Sequence, residues 1–259
     1  MAGSLIERTL GVLEALSEDA EGLPLLVIAD RLGIPKSAAH RICNELIRLG
    51  HVRQDPRTQH YQLTTRLMAL GFRYLASTGA SDVIQPILDR LAETSGELVR
   101  LSVIEGQRLT WIAKAQGARS GLRYDPDMGK EAPLFCTASG HAWLAGLDDD
   151  AALALVEAQG LETDHPLGPQ APRSKAELLD HLQRTRARGY AWVSDSMGPG
   201  TAAMAALVRD PQDGHPIGVL SIAGPGVRLD AERIPALAPP LLTAAEELSQ
   251  ASASSQLFS

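Results

Sequence analysis

Residues 25–63 constrain the fold more than any other part of this chain. They run Leu-Leu-Val-Ile-Ala-Asp-Arg-Leu, turn at Gly33, and continue Ile-Pro-Lys-Ser-Ala-Ala-His-Arg-Ile-Cys-Asn-Glu-Leu-Ile-Arg-Leu. Two short alternating runs follow, on either side of Asp-Pro-Arg-Thr. A short helix, a glycine turn, a second helix with a polar stripe and a hairpin make up, in that order, a winged helix-turn-helix, whose second helix enters the DNA major groove. Pro35 suits the first turn of that helix, where a missing N–H costs nothing. Ile42, Leu46 and Leu49 form its apolar stripe, Ser37, His40, Arg41, Asn44 and Arg48 fall opposite, and Gly50 ends it. Residues 52–54 and 60–63 read as the two strands of the wing, with Tyr61 and Leu63 turned inward.

Charge supports the same partner. The 259-residue chain carries a formal net charge of −7. Residues 31–73 nevertheless hold eight basic groups against two acids, a net of +6. A basic island in an acidic chain fits a nucleic-acid module joined to a domain with another task, although a solvated helix face gives the same clustering. The length favours two domains. With no run of 18 apolar residues and with Glu7 and Arg8 near the start, neither a membrane span nor a secretory signal is expected. Cys43 and Cys136 stand far apart, so no disulfide framework or zinc site is expected, and a reducing cytoplasm fits.

Ser4 and Glu7 make a capping box that opens a helix to about residue 17. Residues 65–77 are helical, and Thr78-Gly79-Ala80-Ser81 is the best domain boundary. The apolar helix before it reads as a cap on the small domain and as a dimer surface. Beyond residue 81, helices alternate with paired strands: strands over 98–104, 109–115, 190–194, 201–209 and 216–223, with a further short one at 121–124. Helices are expected over 82–94, 137–147, 149–159 and 174–188, and from an Asp230 cap to about residue 249. This pattern predicts an α+β domain with a mostly antiparallel sheet.

Several stretches together resemble the IclR family of bacterial transcriptional regulators over nearly the whole chain. They are Ser-Leu-Ile-Glu-Arg-Thr-Leu-Gly-Val-Leu (4–13), Leu-Gly-Ile-Pro-Lys-Ser-Ala-Ala-His-Arg (32–41), Tyr-Gln-Leu (61–63), Pro-Leu-Phe-Cys-Thr-Ala-Ser-Gly (133–140), Arg-Gly-Tyr (188–190) and Leu-Ser-Ile-Ala-Gly-Pro (220–225). The resemblance implies a winged helix-turn-helix (1–64), a linker helix (65–80), and a GAF-like α/β effector-sensing domain (81–250), followed here by a tail (251–259) expected to be disordered. It also implies homodimers, often paired into tetramers, on a palindromic operator. Two positions depart from the family pattern. Gln59 stands where the wing usually has glycine, which takes positive φ at little cost, and Thr64 stands where a glycine commonly follows the wing.

In the DNA module, Lys36 and Ser37 lie at a helix start suited to a phosphate. His40, Arg41 and Asn44 lie where side chains reach base edges: Arg bonds bidentately to guanine and Asn to adenine. Arg8, Arg57 and His60 are expected at phosphates or the minor groove. For Arg41 the competing role is an ion pair with Glu45.

The second domain offers no catalytic constellation. Cys136 and His141 have no apparent third group to activate them, and Thr-Ala-Ser-Gly lacks the hydrolase elbow. Asp148-Asp-Asp150 reads as helix capping. No enzyme activity, cofactor or metal is expected. A binding pocket fits better: a helix opening near Thr137 presents free N–H groups with the Thr137 and Ser139 hydroxyls, which suits a carboxylate, and Ser221 adds another hydroxyl. The family resemblance implies an effector pocket at Leu134, Gly140, His141, Val193, Ala203, Ser221 and Ala223. Val193 replaces an acid, and Ala223 a serine found in one branch of the family, so the pocket is more apolar. If Tyr124 and one tryptophan line the pocket, an aromatic acid fits as the effector, with Arg123 as the carboxylate's partner; the alternative for Arg123 is an exposed strand end. The expectation is a cytoplasmic, homo-oligomeric, ligand-responsive regulator. The competing class is a metabolite-binding protein or enzyme whose N-terminal domain serves assembly.

Overall fold

A computed structural model describes residues 4–77, 80–126, 128–161, 163 and 166–252, apart from the side chains of 80–82. The chain divides into two compact units, Met1–Ser77 and Thr78–Ser259.

The first unit begins with α1 (Leu5–Ser17), where the Ser4 hydroxyl accepts from the Glu7 N–H and the Glu7 carboxylate accepts from the Ser4 N–H. Then come α2 (Leu25–Arg31), α3 (Lys36–Arg48), β1 (Val52–Gln54), β2 (Tyr61–Leu63) and α4 (Thr65–Ser77). Pro35 occupies the N-cap of α3, one position before the first turn. The buried stripe of α3 is Ala39, Ile42, Cys43 and Leu46. Leu49, expected in that stripe, is the C-cap and lies exposed. This stripe meets Val12 and Leu16 of α1, Ile28 of α2, and Val52 and Tyr61 of the wing in one core.

The wing pairs antiparallel, with Val52 opposite Leu63 and Gln54 opposite Tyr61. Its turn is built by Asp55, whose carboxylate accepts from the Arg57 and Thr58 N–H groups. Gln59 takes φ +61°, the left-handed region that favours glycine. Three bonds hold it there: its N–H to Asp55 O, its Nε2 to Pro56 O, and Gln54 Nε2 to its carbonyl. The Thr64 hydroxyl donates to Gly50 O at 2.7 Å, tying the end of the wing to the turn after α3. Both departures from the family pattern thus have local hydrogen-bonded accounts.

The second unit contains α5 (Ala80–Ser95), β3 (Leu98–Glu105), β4 (Arg108–Gln116), α6 (Ala138–Ala145), α7 (Asp149–Gln159) and α8 (Lys175–Arg188). It continues through β5 (Ala191–Ser194), β6 (Thr201–Arg209), β7 (Pro216–Pro225) and α9 (Ile234–Ser252). The five strands form one sheet in the order β4-β3-β7-β6-β5, with every neighbouring pair antiparallel. One face packs on α5 and α9, through Val99, Leu101, Met204 and Ile222 against Leu88, Leu91, Leu241 and Leu248. The other packs under α6, α7 and α8, through Trp111, Val193, Ala205 and Val219 against Ala138, Leu144, Val156 and Leu182. Alternation along each strand sends successive residues to these two layers, which is why β3 is buried on both faces.

Three expectations need correction. Residues 121–124 form no strand: the stretch 117–126 has neither helix nor strand. Asp230 bonds the Glu232 and Arg233 N–H groups in a turn before α9, which begins only at Ile234. That helix also runs through Ser252, so the expected tail would start later, and residues 253–259 lie outside the described residues. Thr78 and Gly79 of the expected boundary also lie outside them.

Candidate functional site

On α3 the burial of Ala39, Ile42, Cys43 and Leu46 turns the other side to solvent. Lys36, Ser37, His40, Arg41 and Asn44 are all exposed. Asn44 Nδ2 lies 3.3 Å from His40 Nε2, so the two side chains share one surface. Glu45 pairs with Arg48 and not with Arg41: Arg48 Nε donates to it at 2.9 Å. Among the described residues Arg41 has no ion pair, which removes the competing role for it. Arg57 is exposed at the wing's turn and His60 is half-buried beside it. Arg8 is half-buried in α1, with its Nε enclosed and without an acceptor.

The second unit's site begins with the capping of α6. The Thr137 hydroxyl accepts from the Gly140 N–H at 2.9 Å and donates to Pro133 O at 2.7 Å. The other first-turn N–H groups of a helix have no intrahelical acceptor, and the residues that carry them here, Ala138 and Ser139, line a cavity of about 30 Å³, room for about one water molecule. Around it stand the N-cap Thr137 with Ala138 and Ser139 of α6, Arg100 and Trp111 from β3 and β4, Tyr124, and Val193, Ala203, Ser221 and Ala223 from the late strands. The Ser221 hydroxyl donates to Arg100 O at 3.3 Å.

Four residues expected in the pocket are absent from its lining. Arg123 is exposed and pairs with Asp125 at 3.1 Å. Leu134 is fully buried in the core. Gly140 is buried where a Cβ would lie 2.2 Å from Leu134 O, so it is there for backbone approach. His141 is buried, with a ring N–H donated from Nε2 to Phe135 O at 2.7 Å and its ring edge-to-face with His181.

Sequence reasoning missed Arg100. Its guanidinium lies 3.9 Å from the centre of the Trp111 ring and is buried. Burial draws its pKa down to about 10, partly opposed by the Tyr124 phenol. Among the described residues no carboxylate pairs with it, and its Nε, like Trp111 Nε1, is enclosed without a hydrogen-bond partner. Larger clefts exist, of about 380 and 390 Å³. Of the cations lining them, Arg186 pairs with Asp149 in one and Lys175 with Glu157 in the other.

A nucleophile pair is not assembled. Cys136 Sγ lies 3.7 Å from Met197 Sδ, and burial pushes its thiol up to about 12. His141 is held by burial down to about 4, and burial lowers His181 as well. The unfolded chain protonates His141 near pH 6.5, the folded protein only near pH 4. Stability is therefore full above about pH 6.5 and falls as the pH drops toward 4, by about 3 kcal/mol for this group. Urea unfolding at pH 7.5, 5.5 and 4.5 checks this: His141→Gln should flatten the decline, and equal declines in both proteins would refute the assignment.

Comparison with known proteins agrees with this architecture. Residues 5–56 match the IclR helix-turn-helix domain, and residues 72–250 match the family described as bacterial transcriptional regulator IclR C-terminal. The chain is 31% identical to the glycerol operon regulatory protein of Streptomyces coelicolor, over 95% of this chain and 93% of that protein. It is 28% identical to the acetate operon repressor of Salmonella typhimurium, over 95% and 89%. An IclR transcriptional regulator from Alicyclobacillus acidocaldarius superposes with a TM-score of 0.81 at 26% identity, covering 95% of this chain and 97% of that one. The relatives named are regulators and not enzymes, the two family matches between them span both units, and the chain belongs to the IclR family of bacterial transcriptional regulators.

Proposed function

We propose that the protein binds a two-fold symmetric operator through α3, as a homodimer or a pair of dimers, and that a small organic acid in the second unit alters this binding. The carrying observation is α3 itself: its apolar side is consumed by the core, while Lys36, Ser37, His40, Arg41 and Asn44 stay in solvent. Lys36 and Ser37 take a phosphate at the helix start, and Arg41 and Asn44 read base edges. Arg8, Arg57 and His60 hold the backbone. Dimerisation is supported by apolar groups left in water, Leu5 and Ile6 on α1 and Phe72 and Tyr74 on α4, all at least 60% exposed. Residues 65–77 then act as the linker helix, and the reading locates the protein in the cytoplasm with the DNA. No helix among the described residues is long and apolar enough to cross a membrane.

The effector is a carboxylate, bound at the start of α6 beside Ser139 and Ser221. It shifts the balance between arrangements of the DNA heads only through unequal affinity for them. Selecting bound duplexes from a random pool tests this reading. A palindromic consensus whose affinity falls steeply with salt is expected, whereas a pool that never enriches would leave the first unit as an assembly domain.

A further inference from the structure

The cavity beside α6 is positive at two of its walls and holds no acid. Arg100 supplies a buried guanidinium from β3, and the α6 N-terminus supplies first-turn N–H groups with the partial positive charge of the helix dipole. Arg100 has the Tyr124 phenol and the Trp111 ring beside it but no carboxylate; a buried charge that is not neutralised is costly, and buried donors are normally satisfied. Here Arg100 Nε and Trp111 Nε1 are both enclosed without an acceptor. Two enclosed donors left unsatisfied call for a ligand that accepts where it meets them.

Much of the remaining lining is apolar. Val193 pairs with Ala203, and Ala203 with Ala223, so three adjacent strands present a row of small side chains. Tyr124 and Met197 stand among the other lining groups. Small residues in register leave a shallow trough, and an aromatic neighbour favours a ring over a branched chain.

We infer that Arg100 is the residue that determines effector specificity, and that the effector is a flat, ring-bearing acid with a single carboxylate set between the Arg100 guanidinium and the start of α6. This rests on the reading of the second unit as an effector-binding domain and names the chemistry of its ligand. Arg100 takes the role that the sequence had suggested for Arg123. The ring lies along the Val193–Ala203–Ala223 trough. Because the cavity is about 30 Å³, its wall must part to admit a ring, and Tyr124, in the segment 117–126, is among the lining residues outside helix and strand.

The test uses the full chain with benzoate, its neutral isostere benzamide, and cyclohexanecarboxylate, read by calorimetry and thermal shift. Benzoate should bind and raise the melting temperature, with the other two weaker. Arg100→Met should weaken benzoate roughly a hundredfold and leave benzamide unchanged. Without ligand the variant should melt no lower than the parent, since an apolar group replaces a buried charge that no carboxylate neutralises. Arg100→Lys keeps the charge without the planar fork and should fall between the two. It also serves if the methionine variant fails to fold. No benzoate binding to the parent, or equal binding to all three proteins, would overturn the inference. Either result leaves the operator reading intact if parent and variants still bind the selected duplex.

Discussion

Gly140→Ala is expected to lower the melting temperature of the second unit by about 6–12 °C, from a loss of about 3 kcal/mol or more. The added Cβ would lie 2.2 Å from Leu134 O and 2.4 Å from Leu134 Cα, both backbone atoms that no side-chain rotation can move. Relief requires α6 to separate from the strand of chain at Leu134, in a region where both residues are buried. The same shift would break the bond from the Gly140 N–H to the Thr137 hydroxyl and so spoil the helix start beside the cavity. Calorimetric scans of parent and variant check this, and a transition within 2 °C of the parent would contradict the close approach.

Arg41→Ala should separate specificity from affinity. One bidentate contact to guanine contributes ~1–3 kcal/mol of discrimination. A homodimer meets its operator twice, so about 2–6 kcal/mol of preference for the selected duplex should disappear, while binding to unrelated duplexes changes little. Glu45 gives no escape, because its carboxylate is held by Arg48. Arg57→Ala should behave differently, weakening all sequences alike and reducing the salt slope by about 1 per half-site. Anisotropy titrations on cognate and scrambled duplexes at several salt concentrations distinguish these outcomes. An Arg41→Ala protein with full discrimination would remove Arg41 from the reading surface.

The sequence is legible where local chemistry alone determines structure. Ser4 with Glu7, Asp148 and Ser174 each announce a helix start, and each side chain accepts from a first-turn N–H. The α3 stripe is legible from its period, although its end is not: Leu49 looks like core and is a cap, because the chain turns at Gly50. What stays hidden depends on tertiary cover. Arg100 alternates with Val99 and Leu101, and in a sheet with one wet face it would point to water. The α6–α8 layer covers that face, so the arginine becomes a buried cation in a cavity. Arg123, nearer in sequence to Tyr124, attracts attention instead, yet Asp125 neutralises it. The apolar spacing of α1 likewise identifies a helix but cannot say that Leu5 and Ile6 remain uncovered in one chain.

The central claim is that the polar side of α3 enters the major groove, and guanine N7 is exposed only there. Dimethyl sulfate footprinting of the selected operator reads that atom directly. The expected result is N7 protection in both half-sites, with protection at one guanine per half-site lost in Arg41→Ala. A duplex bound tightly with every N7 still reactive, or a footprint identical in parent and variant, would contradict it.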